Sequence, residues 1–202
     1  MINSNKLVQG IGFKGMDYPS RGNGKPLKVY QMWRGLLERC TEKCWTNNPA
    51  YIGTTCSDNF KSYSYFYEWC QEQIGFLKKD ENNRYWCLDK DILSNGNKVY
   101  SEDVCAFVPE RMNLLLVKCD SSRGECPIGV YWCKNRKKFR SKCNNGSGKQ
   151  KCLGYFNTPQ EAFLAYKTYK EALIKEVANE YKEQLDSRVY EALMNYEVNE
   201  ND

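Results

Sequence analysis

Two stretches of the chain carry residue types that can do chemistry. In Tyr85-Trp-Cys-Leu-Asp-Lys-Asp-Ile-Leu93 two carboxylates, Asp89 and Asp91, flank the ammonium of Lys90. Carboxylate oxygens of this kind suit Mg²⁺, and Glu110 offers a third ligand for the same ion. Lys90 is a poor general base, because a reference pKa of about 10.4 leaves it protonated at neutral pH and flanking carboxylates hold it so. It is better suited to clamping a phosphate. On a strand, alternate residues share a side, so Asp89 and Asp91 would face one way and Lys90 the other; a solvated sheet edge produces the same pattern. The chain contains no histidine. An imidazole, the most frequent side-chain general base near neutral pH, is therefore missing.

The second stretch is Cys126-Pro-Ile-Gly-Val-Tyr-Trp-Cys-Lys-Asn-Arg-Lys-Lys-Phe-Arg-Ser-Lys, where bulky and basic residues interleave. A strand carrying them would show rings and cations on one surface, which suits a polyanion. From Arg123 to Cys152 there are nine Lys/Arg against one Glu, a local balance of +8, whereas residues 153 to 202 carry −5 and residues 1 to 122 carry +2. The basicity is concentrated, not spread for solubility. On a sheet that reads a duplex, Arg136, Arg140 and Trp132 would reach base edges or pack on sugar, while Lys134, Lys137, Lys138 and Lys142 would neutralise phosphates.

The elements that must position these residues are legible to different degrees. Asn144-Asn-Gly-Ser-Gly148 tolerates positive φ, so Lys151 to Phe156 reads as the return of a hairpin. Thr158-Pro-Gln-Glu161 has the form of a capping box with proline at the first helical position, and Ala162, Phe163, Tyr166, Tyr169, Ala172, Leu173 and Val177 follow at helical spacing. Asp186-Ser187 can cap a further helix, and the acidic tail from Glu197 is expected to fray.

In the first half, Val29, Met32, Trp33, Leu36, Leu37 and Cys40 make one helical stripe. A second helix should run from Ser57 to Gly75 with Phe60, Tyr63, Phe66, Cys70 and Ile74 on one face, its aromatics packing and not stacking on single strands. Residues 1 to 27 read as a glycine-rich arm lying on the body. The run containing Asp89, the turn Ser94-Asn-Gly-Asn97, the extended segment ending at Val108 and a helix opened by Pro109 form a ββα unit.

Together these give an α+β fold: an N-terminal helical region with a ββα unit, then a three-stranded antiparallel sheet packed on a helix. The expected domains are 1–120 and 121–202, joined at Ser121-Ser-Arg-Gly-Glu125. No apolar run approaches a membrane span and no secretory signal opens the chain, so cytoplasmic location is expected. Eleven cysteines are then reduced thiols; with no Cys-x-x-Cys and only Cys40-x3-Cys44 closely spaced among the first nine, the spacing argues against structural zinc.

Gly129-Val130, Lys137-Lys-Phe-Arg140, Leu153-Gly-Tyr-Phe156 and Thr158-Pro-Gln-Glu-Ala-Phe-Leu-Ala-Tyr166 resemble the AP2-type DNA-binding domain. Tyr30-Gln-Met-Trp33, Trp86-Cys-Leu-Asp-Lys-Asp-Ile-Leu93, Cys105-Ala-Phe-Val-Pro109 and Asn113-Leu114 extend the resemblance to bacteriophage homing endonucleases of the HNH/AP2 type. The resemblance implies double-stranded DNA as partner and a Mg²⁺-dependent nuclease site, with Asp89, Lys90, Asp91 and Asn113 as catalytic residues and Asp89, Asp91 and Glu110 on the metal. The missing histidine leaves a second reading open, a catalytically inactive, nuclease-derived DNA-binding regulator or phage interference factor.

Overall fold

The stripe that begins at Val29 folds as α1 (Lys28–Arg39), burying Val29, Trp33, Leu36 and Leu37 on one side. The computed structural model describes residues 7–117, 125–146 and 148–200. Helices and small sheets mix along the chain, which makes it α+β. It divides into two compact units, Met1–Val108 and Pro109–Asp202.

In the first unit Trp33 is wholly buried among Tyr30, Tyr63 and Phe60, and its indole Nε1 donates to the Phe60 carbonyl at 2.8 Å. That bond satisfies the one polar atom of the residue. α2 (Glu42–Asn47), capped by the Thr41 hydroxyl, was not visible as a periodic stripe. β3 (Thr55–Cys56) follows one 3₁₀ turn, then α3 (Asp58–Lys61) and α4 (Tyr63–Glu72).

The sequence predicts a single helix from Ser57 to Gly75; the structure breaks it at Ser62. The cause lies in the N-terminal arm. The Phe13 N–H donates to the Lys61 carbonyl at 2.8 Å, and the Tyr63 N–H donates to the Phe13 carbonyl at 2.9 Å, so groups that a continuous helix needs are taken by another segment. The Ser62 hydroxyl then caps the new helix by accepting from Tyr65. With α4 ending at Glu72, Ile74 falls outside it and is exposed. The arm does lie on this unit, with Tyr18 stacked on Tyr67 at 4.3 Å, and it forms a small hairpin of β1 (Arg21–Gly22) and β2 (Lys25–Pro26).

β4 (Cys87–Asp89) pairs antiparallel with β6 (Ala106–Val108), and β5 (Val99–Tyr100) pairs parallel with β3. Tyr63, Phe66, Trp69 and Phe107 are buried together, as packing residues at helical spacing should be.

The second unit holds α5 (Glu110–Leu116), then β7 (Val130–Cys133), β8 (Lys138–Asn144) and β9 (Gln150–Phe156), which form one antiparallel sheet in the order β7-β8-β9. The long basic run is not one strand. It turns at Lys134–Lys137, with Lys137 in the left-handed region at φ 49. α6 (Pro159–Glu180) begins at the Thr158–Glu161 capping box and packs across the sheet, and α7 (Ser187–Met194) packs on α6 from an Asp186 cap.

α5 belongs to this unit because it meets α6: Arg111 pairs with Glu180. The division therefore falls ahead of the expected boundary at 120. The expected linker lies outside the described residues except for Glu125.

The described part of the tail, Glu197 to Glu200, is anchored where fraying was expected, and residues 201 and 202 lie outside the described residues. Val198 is buried, its N–H donates to Glu171 at 2.9 Å and its carbonyl accepts from Lys167 at 2.8 Å. One apolar anchor and two backbone hydrogen bonds outweigh the acidic composition around it.

The chain just before β7 approaches α6 closely at Gly129, whose φ is +76 and where an added Cβ would overlap the Tyr166 ring. Gly129→Ala should combine left-handed strain with overpacking and destabilise the chain by about 2–4 kcal/mol. Gly24→Ala, at φ +75 with open space around it, should cost only about 1 kcal/mol. Denaturant unfolding of the two variants beside wild type checks this, and equal losses would contradict the packing described.

Candidate nucleic-acid interface

Strand register decides which side chains share a face. Val130 pairs with Ser141 and Trp132 with Phe139, and Phe139 pairs in turn with Phe156. Val130, Ser141 and Cys143 are buried, and α6 packs on this side. The alternate set must then point away from α6. It consists of Tyr131, Cys133, Lys138, Arg140 and Lys142, with Tyr155 and Cys152 from β9.

Across the three strands Tyr131, Arg140 and Tyr155 stand side by side, so a cation on the central strand is flanked by two rings. The Arg136 guanidinium lies 4.4 Å from the centre of the Tyr155 ring, and Lys142 Nζ lies 5.8 Å from that of Tyr131. Lys134, Arg136, Lys137 and Lys138 are exposed on and beside the hairpin turn, while Arg140 and Lys142 are half-buried. From Val130 to Phe156 there is no Asp or Glu at all against eight Lys/Arg. Nothing within these strands neutralises the face.

Two corrections follow from the register. Trp132 does not share a surface with Arg140: its ring packs on Phe139 with centroids 4.8 Å apart, on the α6 side. Lys134, Arg136 and Lys137 sit on a turn, not along a strand, because the chain reverses after Cys133. The rings that do accompany the cations are Tyr131 and Tyr155, which sequence reasoning missed. The signal that could have found them is the parity of the strand once Val130 and Cys143 are taken as inward.

Arg140 Nε is buried with no acceptor among the described residues. An unmade hydrogen bond of this kind costs about 1–3 kcal/mol, and a fold retains it where the side chain has another use.

The other candidate cluster has a different character. β4 ends at Asp89, whose Oδ1 accepts from the N–H groups of Asp91 and Ile92, each at 2.8 Å. The chain bends there instead of continuing as a strand, so Asp89 and Asp91 do not share a strand face. Lys90 is buried, not a free clamp: its Nζ donates to Asp91 Oδ1 at 2.6 Å and to the Asn97 carbonyl at 2.5 Å. The Asn97 side chain closes the loop through Lys90 O, Val99 O and Val99 N. Glu110 and Asn113 lie on α5 in the second unit, Glu110 in its first turn where a carboxylate also favours the helix dipole. Among the described residues, no group of three or more His, Cys, Asp or Glu side chains could hold a metal ion.

No known family, curated protein or solved structure matches the chain.

No helix among the described residues is long and apolar enough to cross a membrane.

Burial raises the Asp89 pKa from its ordinary value, while the two N–H groups of its turn pull it down. The carboxyl is thus a turn-former with a disfavoured charge. Asp89→Asn keeps the acceptor and removes the charge, so it should leave stability at neutral pH equal or higher, whereas Asp89→Ala should lose about 1–3 kcal/mol. A folded-state pKa above the unfolded value of about 3.9 means that wild-type stability relative to Asp89→Asn declines as pH rises from that value to the raised one, then stays level. Urea titrations across acid pH read both effects.

Proposed function

We propose that the second unit is a DNA-binding domain of AP2 type and that it grips duplex DNA through the face formed by Tyr131, Arg140, Lys142 and Tyr155 and the basic turn Lys134–Lys137. The observation that carries this reading is the Tyr131–Arg140–Tyr155 row on a sheet face with no carboxylate in its strands. Arginine reads base edges or pairs with phosphate in bidentate fashion, tyrosine packs on sugar or base, and the lysines supply the salt-dependent part of affinity. Lys137 adds support. A lysine held in the left-handed region costs about 1–2 kcal/mol relative to glycine, and it sets an ammonium at the tip of the hairpin.

For the first unit, the reading best supported is a nuclease-derived scaffold without hydrolysis, as in a phage-encoded regulator or interference factor acting in the host cytoplasm. Asp89 Oδ1 is committed to a turn, Lys90 is buried on Asp91 and Asn97, and no histidine is present to serve as base. An HNH-like endonuclease would need Asp89, Asp91 and Glu110 to hold Mg²⁺ and Asn113 to assist, and the engagement of Asp89 and Lys90 within their own loop counts against that use.

Fluorescence anisotropy with a short duplex tests the binding claim. Six cations, Lys134, Arg136, Lys137, Lys138, Arg140 and Lys142, imply a log–log salt slope near −5, or about a thousandfold loss between 50 and 200 mM salt. Arg140→Ala and Tyr155→Ala should each weaken binding about tenfold at fixed salt, and Trp132→Phe should not. A slope near zero, or an Arg140→Ala variant that binds like wild type, would contradict the assignment.

Supercoiled plasmid with Mg²⁺ or Mn²⁺ tests the second claim. The plasmid should stay supercoiled, and nicking that vanishes in both Asp89→Ala and Asp91→Ala would establish the endonuclease instead.

A further inference from the structure

Two lysines are buried among the described residues, and they are treated differently by the fold. Lys90 has Asp91 and the Asn97 carbonyl, whereas Lys170, only 6% exposed on α6, has no hydrogen bond or ion pair among the described residues. Burial lowers its pKa, and the neighbouring Cys143, a thiol whose own pKa burial raises, offers no countercharge. A lysine this deeply set, with no countercharge beside its ammonium, is disfavoured unless an anion reaches it, so the surroundings of Lys170 are where a ligand is to be sought.

Lys170 lines a pocket of about 240 Å³ within the second unit. The other polar residues that line it are Tyr131, Lys142, Asn144, Gln150 and Tyr166, with apolar wall from residues such as Ile128. No carboxylate lines it. Every charged group at the pocket is therefore a cation, and the amides and phenols add neutral donors. At about 30 Å³ per water the space holds roughly eight water molecules, which suits a small oxyanion with a short organic part and not a drug-sized ligand.

We propose that this pocket binds a phosphate monoester, with Lys170 as the countercharge and Asn144 and Gln150 as the donors around it. A phosphate monoester presents three terminal oxygens in different directions, against the two coplanar oxygens of a carboxylate, so donors on several walls can reach it at once. The ligand is either a free small phosphate or the 5′-phosphate at the end of a nucleic-acid strand. The inference does not rest on duplex binding by the sheet face.

Thermal unfolding of the full chain with inorganic phosphate as probe, against acetate at the same ionic strength, tests it. Phosphate should raise the wild-type Tm and acetate should not. Lys170→Met should unfold at the same or higher temperature without phosphate and bind phosphate at least about tenfold more weakly. Gln150→Ala, at an exposed position, should keep the wild-type Tm and show a reduced phosphate response, which decides the matter if Lys170→Met fails to fold. Equal phosphate responses in wild type and both variants, or an equal response to acetate, overturn the proposal.

A second arm compares duplexes with and without a 5′-phosphate. Tighter binding of the phosphorylated duplex by wild type but not by Lys170→Met assigns the pocket to strand ends, and equal affinities assign it to a free phosphate monoester. Lys170→Met should keep wild-type affinity for the unphosphorylated duplex, so loss of sheet-face binding and loss of phosphate binding are read separately.

Discussion

The approach of α6 to the start of β7, where the Tyr166 ring meets the backbone of Gly129, sets the geometry of the second unit. Only a residue without Cβ allows the two to come so near, and its left-handed φ directs the chain into the sheet. Once Val130, Ser141 and Cys143 are turned toward the helix, the two-residue period of a strand sends Tyr131, Arg140 and Lys142 the other way. The cationic face is thus a consequence of core packing on the reverse side. A one-residue slip of β8 would bury Arg140 and Lys142 and expose Phe139 and Cys143, which is why the register is strongly specified.

The same logic separates the two sets of charged residues. On the sheet, cations gather without carboxylates and their rings are held by neighbouring strands, so the field of the face stays unneutralised and available to a polyanion. In the loop after β4, charges and amides answer one another: Asp89 holds backbone N–H groups, Lys90 holds Asp91 and Asn97, and Asn97 holds the far side of the loop. Groups engaged in that way stabilise a turn. A motif rich in acids is therefore not by itself a reactive site; what matters is where the hydrogen bonds of its oxygens go.

Local signals in the sequence carried much of the architecture. The capping box at Thr158 and the Asp186 cap opened α6 and α7 where helical spacing placed them, because caps and periodicity are written in adjacent residues. The α1 stripe is legible for the same reason. The break at Ser62 was not, since it depends on Phe13, a residue of a distant arm, claiming hydrogen bonds from the helix backbone. Nor was the anchoring of Val198, an apolar residue hidden in an acidic tail.

At the candidate interface the charge concentration was visible but the faces were not. Alternation read without the turn at Lys134–Lys137 put Trp132 beside Arg140, and only the pairing register moves it to Phe139 and brings Tyr131 and Tyr155 forward. Lys170 gave no signal: a single lysine in a helix reads as solvated, and its burial is a tertiary fact.

The central claim is that one side of the β7-β8-β9 sheet, and not the helical side or the first unit, meets the duplex. Backbone amide chemical shifts recorded while an unlabelled duplex is titrated into isotope-labelled protein at low salt address it most directly. Perturbations should centre on Tyr131, Lys137, Arg140, Lys142 and Tyr155 and leave Leu173, Val177 and the Asp89–Asn97 loop unmoved. Shifts confined to that loop or to the far side of α6, or no shifts at any duplex concentration, would contradict the account.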